Sequence, residues 1–242
     1  MDFGDIRRRF DFRGIQVGRW VTREEMDRAA PLFYRALCDL MAILQGPETL
    51  ISLRGTLALR YGVGGRPGVA AHYSPAERAF ALAKNAGPGS IAHEWFHALD
   101  HYLAARAFAD PPAGVFASAL WLGGAEPRRH PLNDLLGQCF RAVLLDEGGA
   151  EPSDLVCASV AEDRARGTLY YSKPEELCAR AFEAFVEDAP IPNGFLVKGT
   201  RQSAEARAGL YPRGTQRRRI NAAFGSYFCR LGYALREGVS RS

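Results

Sequence analysis

Apolar residues recur along this chain with two spacings. From Leu50 to Tyr61, and again over Val69–Tyr73 and Arg78–Lys84, apolar and polar residues alternate one by one, the period of strands with unlike faces. Ser74-Pro75-Ala76-Glu77 separates the last two runs and predicts a hairpin turn. Elsewhere the spacing is helical. Met26, Ala29, Ala30, Phe33, Ala36, Leu37 and Leu40 share one face of a helix that the capping box Thr22-Arg23-Glu24-Glu25 opens and Gly46-Pro47 closes. Helical patterning returns over 91–108, with Ser90 as the expected N-cap, and over 131–146, 153–166, 174–188 and 216–235. Residues 1–20 show no clear period and read as a short basic-aromatic arm. Gly62–Gly68 reads as a loop and lacks the Lys-Ser/Thr that a phosphate loop requires.

This order of elements predicts an α+β chain: the arm, then one domain over 21–242 with an αβ part at 21–108 and a helical part at 109–242. The sheet is expected to be small, mixed or antiparallel, and packed on the 91–108 helix. Composition narrows the class. With 242 residues, 47% hydrophobic and 24% charged, the chain can bury a real core, and disordered or disulfide-scaffold readings fall away. No apolar run reaches the length of a membrane span, and charges stand where a secretory signal would be apolar, so no membrane partner is expected. The five scattered cysteines form no CxxC pair and read as thiols of a reducing, cytoplasmic compartment. The net charge of +4 is uneven: residues 196–242 carry ten Lys/Arg against two Asp/Glu. A basic region around Arg217, Arg218 and Arg219 could meet a nucleic acid or another acidic partner.

The chemistry centres on His93-Glu94-Trp95-Phe96-His97, an HExxH pattern inside a predicted helix. Four residues turn the helix by about 400°, so both imidazoles project from one face and can hold one metal ion. Glu94 can then reach a metal-activated water as general base. Catalytic zinc usually takes three protein ligands. His101 is too far, because eight residues rise about 12 Å along a helix. The remote candidates lie in the segment from Ser172 to Glu183. Ser172 and Glu175 have the spacing of a second capping box, which leaves Glu176 freer to bind; Glu175 and Glu183 stay as alternatives. On a helical wheel Glu176 lies opposite the stripe of Leu177, Cys178, Ala181 and Phe185, so it suits a ligand only if this helix is sandwiched between core and site.

His93-Glu-Trp-Phe-His-Ala-Leu-Asp-His-Tyr102, followed by Glu176-Leu-Cys-Ala-Arg-Ala-Phe182, resembles the zincin metallopeptidase core of the gluzincin kind. The second block is similar to the third-ligand helix of anthrax lethal-factor-type peptidases. Phe10-Asp-Phe-Arg-Gly14 and Ile51-Ser-Leu-Arg-Gly-Thr-Leu57 extend the likeness to a zincin-like domain of large polyvalent proteins of phages and conjugative elements. Related bacterial proteins are named for similarity to calcium-activated chloride-channel-regulator metallohydrolases. The likeness runs from about residue 10 to 235. It implies a zincin-like fold, Zn2+ held by His93, His97 and Glu176, and hydrolysis of a peptide or protein substrate. One departure is Arg180, where the lethal-factor pattern has an acidic residue four positions after the ligand glutamate. Asp100, on the face of the two histidines, is expected to orient an imidazole. Tyr171 or Tyr170 is expected to donate to the oxyanion. Arg78–Lys84 takes the place of a substrate-aligning edge strand, and His72 reads as a structural strand histidine.

Overall fold

A computed structural model describes residues 1–63, 71–84 and 89–239. Residues 64–68 of the glycine-rich stretch, Val69 and Ala70 of the predicted strand, and Gly87-Pro88 lie outside them. The N-terminal half holds α1 (Phe3–Phe10), β1 (Gly14–Val17), α2 (Arg23–Ile43), α3 (Glu48–Ile51), β2 (Ala58–Tyr61), β3 (Ala71–Ser74), β4 (Ala79–Leu82) and α4 (Ile91–Ala107). The C-terminal half is helical: α5 (Ala117–Leu122), α6 (Pro131–Leu144), α7 (Asp154–Arg166), α8 (Pro174–Glu187), α9 (Ala204–Arg207) and α10 (Gly214–Val239). The fold is α+β, as the patterning predicts, with a small mixed sheet.

The first twenty residues are not a loose arm. Asp2 and Asp5 form a capping box at the start of α1, and Phe3, Ile6 and Phe10 turn into the core from one helical face. β1 then pairs in parallel with β2. The run from Leu50 also departs from the expected strand. Leu53, Arg54 and Gly55 take positive φ (52°, 58° and 74°), a left-handed turn that delays β2 until Ala58. Glycine suits position 55, where φ is positive and a Cβ would crowd Asp11 Oδ2 at 3.0 Å.

The sheet order is β1-β2-β4-β3, with β1, β2 and β4 parallel and β3 antiparallel to β4. The hairpin therefore forms where the sequence places it, but β4, not β3, sits inside the sheet. Arg78–Lys84 cannot be the substrate-aligning edge, since both its flanks are occupied. Among the described strands the free edges belong to β1 and β3, and β3 is the one packed on α4. α2, opened by its Thr22 capping box, buries Ala29, Ala30, Phe33, Ala36, Leu37 and Leu40, and its Phe33 ring meets Tyr61 of β2 with centroids 5.5 Å apart. α4 lies against β3 and β4 on one side and against α5 and α8 on the other.

Candidate metal centre

α4 is buried on nearly every side, Glu94, His97 and Asp100 included, and so lacks the one-sided patterning of a surface helix. Ser90 makes no side-chain cap bond; instead the Gly89 and Ala92 amides donate to the Phe195 and Leu196 carbonyls, each at 3.1 Å. One turn on, the Trp95 indole N–H donates to the Ile51 carbonyl at 2.9 Å. Its ring stacks on Phe182 of α8, with centroids 5.5 Å apart. These anchors fix the rotation of α4, and His93, Glu94 and His97 are left facing a cleft.

α8 supplies the remaining group. It packs against α4, α5, α6, α7 and α10, the sandwich that a polar ligand opposite an apolar stripe requires. Glu176 lies buried in its first turn. The expected Ser172/Glu175 capping box does not form: the N-cap is Lys173 without a side-chain bond. Ser172 instead gives its amide and hydroxyl to Asp163, which also accepts the Tyr170 and Tyr171 amides. An ionised carboxylate gathering four donors outcompetes a local box.

Nε2 of His93 and Nε2 of His97 stand 3.0 Å apart. The Glu176 carboxylate reaches them at 3.3 Å and 3.4 Å. The three side chains offer ligand atoms within 4.8 Å of one another, and among the described residues no fourth joins them. Two imidazoles and a carboxylate form the donor set of three-ligand zinc sites. Glu176 Oε2 is buried without a hydrogen-bond partner among the described residues, the state of an oxygen placed for a cation. On both counts the residues fit the ion.

The surroundings set protonation. His93 Nδ1–H donates to Glu183 Oε2 at 2.9 Å, which leaves the Nε2 lone pair for the centre. Tyr211 donates to the same oxygen at 3.2 Å. Burial opposes a charged His93, but the Glu183 and Glu176 carboxylates outweigh it and hold its pKa well above the ordinary value, so a bound cation would have to displace the Nε2 proton. Burial likewise opposes charge on Glu176, yet the pull of the adjacent His93 and His97 rings drives its pKa far below the usual range. Glu94 goes the other way: burial raises its carboxyl, with the two histidines pulling against that. A carboxylate moved upward toward neutrality is a better proton acceptor.

Other expected residues fall differently. Asp100 accepts from the Ser118 amide at 2.9 Å and from its hydroxyl, not from an imidazole, so α5 wins the aspartate that its spacing seems to offer His97. Burial lifts its pKa to about 6 against those two bonds. His97 Nδ1 is buried without a partner. Glu183, weighed from sequence as a ligand, takes the orienting task instead. Its signal lay in its place two helical turns beyond Glu176, whereas nothing in the local sequence marks Tyr211. Tyr170 and Tyr171 both line the cleft. The Tyr171 ring lies beside the Arg166 and Arg180 guanidiniums, 5.0 Å and 5.6 Å from its centroid. Burial and then the Glu176 charge push the Tyr170 hydroxyl well above its ordinary range. Arg180 is buried and bonds Ser159 and the Tyr171 carbonyl.

The cleft holds about 740 Å³ between the β3 edge and α8. His72 is exposed on β3 and lines it, together with Tyr73, Glu175 and Glu205. In the basic C-terminal segment Lys198, Arg201, Arg207, Arg213, Arg218, Arg230 and Arg236 are exposed, and two arginines turn inward. Arg217 is buried against Asp188, Thr200 and the Ala184 carbonyl, and Arg219 bonds the Ala142 and Leu145 carbonyls. No helix of the described residues is long and apolar enough to cross a membrane.

No curated protein and no solved structure matches the chain. Residues 162–235 match the family model of large polyvalent protein-associated domain 1. The matched stretch contains Glu176, Arg180, Glu183 and Tyr211 and stops short of the His93–His97 helix. Through that segment, the chain is linked to the polyvalent proteins.

Proposed function

We propose that the protein is a zinc-dependent, zincin-like metallopeptidase. The observation that carries this reading is the meeting of His93 and His97 from α4 with Glu176 from α8 beside an open cleft, with Glu94 next to them. A zinc ion there supplies Lewis-acid activation of water and of a peptide carbonyl. Glu94 takes a proton from the attacking water and passes it to the leaving amine as the C–N bond breaks. A peptide laid along the free edge of β3 would gain backbone hydrogen bonds beside the cleft. Tyr170, or Tyr171 as the sequence suggests, supplies the hydroxyl for the developing oxyanion. All five cysteines are free thiols, which suits work in the cytoplasm.

The alternative is a non-catalytic zincin-fold binding protein with structural zinc and a basic surface for nucleic acid or an acidic partner. It calls for a fourth protein ligand, which does not join the three among the described residues, although Arg213, Arg218 and Arg230 stay exposed for its basic surface. The test is metal analysis joined to a cleavage assay. The purified protein is expected to hold about one zinc per chain, and His93→Ala or His97→Ala to lose it. Glu94→Gln is expected to keep the zinc and lose peptide cleavage. Absence of zinc after reconstitution, or full activity in Glu94→Gln, defeats the reading.

A further inference from the structure

A second cavity, about 930 Å³ in volume, opens beside the metal cleft and shares Tyr73 and Pro75 with it. Its walls are the β3–β4 turn, the second half of α4 and the 111–115 loop. The two spaces differ in charge. The metal cleft carries Glu175 and Glu205 in addition to the carboxylates around the metal centre. The second cavity is lined by Arg78 and Arg106, with no carboxylate among its described lining residues. Between them, the Tyr73 hydroxyl and His101 Nδ1 form a hydrogen-bonded pair at 2.8 Å.

Arg78 is an unexpected residue for its place. Its φ is 45°, the left-handed conformation at the end of a hairpin turn, where glycine or asparagine is the ordinary choice. Its amide closes the turn on the Pro75 carbonyl. Its guanidinium makes no hydrogen bond or ion pair among the described residues, whereas neighbouring Glu77 is clamped by Arg60. Backbone strain held at an exposed cation with no structural partner points to a task for the side chain. Its charge reaches the rim: after burial, Arg78 is what holds the His101 pKa down, so that ring is neutral and leaves the cavity's positive charge to the arginines. Arg106 is similarly unpaired apart from resting over the Tyr102 ring, 4.9 Å from its centroid.

We infer that this cavity is the specificity subsite of the hydrolase, and that Arg78, supported by Arg106, receives an acidic side chain of the peptide whose scissile bond lies at the metal centre. The inference rests on the proposed function for the position of the scissile bond. The charge complementarity is its own, because a planar guanidinium pairs with a carboxylate through two parallel hydrogen bonds. A substrate lying across Tyr73 and Pro75 would present its acidic residue to this cavity and the rest of its chain to the metal cleft.

The test is equilibrium binding of fluorescent peptide pools that differ only in a fixed Glu or a fixed Gln, measured on the zinc-loaded Glu94→Gln protein so that nothing is cleaved. The Glu pool is expected to bind about tenfold more tightly. Adding Arg78→Gly should bring that ratio close to one while leaving the melting temperature equal or higher, because glycine relieves the positive φ. Arg78→Asn, which also tolerates that conformation, provides the same comparison should the glycine variant fold poorly. Equal binding of the two pools, a ratio unchanged in both variants, or preferential binding of a single-stranded oligonucleotide through Arg78 would overturn the subsite. Cleavage by the parent protein without acidic preference removes the subsite and leaves the hydrolase. Arg78-dependent binding of the Glu pool without any cleavage removes the hydrolase and leaves the acidic-peptide site.

Discussion

A carboxylate that accepts the Nδ1–H of His93 decides which ring nitrogen keeps its lone pair. Glu183 does this from two helical turns beyond Glu176, and Tyr211 steadies the same oxygen. Arg180, between them on α8, turns instead to Ser159 and the Tyr171 carbonyl. The consequence can be measured. Glu183→Gln is expected to weaken zinc binding about tenfold, and Glu183→Ala by up to about a hundredfold, in chelator competition. The metal-free circular dichroism spectra should stay those of the parent; unchanged affinity in both variants would mean that the hydrogen bond does not orient the ring. At this scale the sequence is legible where chemistry is local. His93, Glu94 and His97 lie within one helical turn and a half, and their spacing dictates a common face. Asp100 has equally suitable spacing, yet Ser118 takes it, because a buried carboxylate goes to whichever donors the tertiary packing brings.

Helices with strong ends are legible too. The Thr22 box, Pro131 and Pro174 at first turns, and the long apolar faces mark α2, α6 and α8 near their true limits. α1 is missed although Asp2 and Asp5 cap it, since the Arg7–Arg9 run hides the spacing of Phe3, Ile6 and Phe10. What local pattern cannot carry is close approach between distant elements. α10 crosses the end of α2 so tightly that a Cβ on Gly232 would sit 2.1 Å from the Gln45 carbonyl oxygen. In the same helix Gly225 has nothing within 4 Å. Gly232→Ala should therefore destabilise by about 1–3 kcal/mol. Gly225→Ala should stabilise by about 0.5–1 kcal/mol, as alanine does in an open helical position. Denaturant midpoints of the two variants, read against the parent, are expected to move in opposite directions; a shared direction would show that α10 can slide off the crossing.

Across the whole molecule, the buried Asp163 and the half-buried Asp188 tie helices to neighbouring segments and shape the response to acid. Burial alone would raise Asp163, but the Ser172 hydroxyl and three backbone amides overcome it and bring its pKa to about 2. Asp188 also falls to about 2, because Arg217, Asn221 and Arg201 outweigh its burial. Both values lie below the ~3.9 of an unfolded aspartate. Their stabilisation is therefore fully present above pH 4 and is lost as the pH falls from there toward 2. With a chelator present throughout, Asp163→Asn is expected to be less stable than the parent at pH 6 and to approach it at pH 3 in urea unfolding. A gap of the same size at both pH values would show that this charge does not stabilise the fold. Sheet order also belongs to this scale: the parallel link from β2 to β4 leaves β3 outside, and no run of residues within Arg78–Lys84 reveals that. The metal centre is likewise shared between parts of the chain distant in sequence. The stretch matched at 162–235 carries Glu176 and the His93 partner Glu183, while both histidines and Glu94 lie upstream. A gene fusion that transfers this stretch alone would inherit one of the three candidate donors and lack His93, His97 and Glu94. Such a fusion would lack the grouping on which the proposed hydrolysis rests, so the family match and the proposed activity can part company between genes.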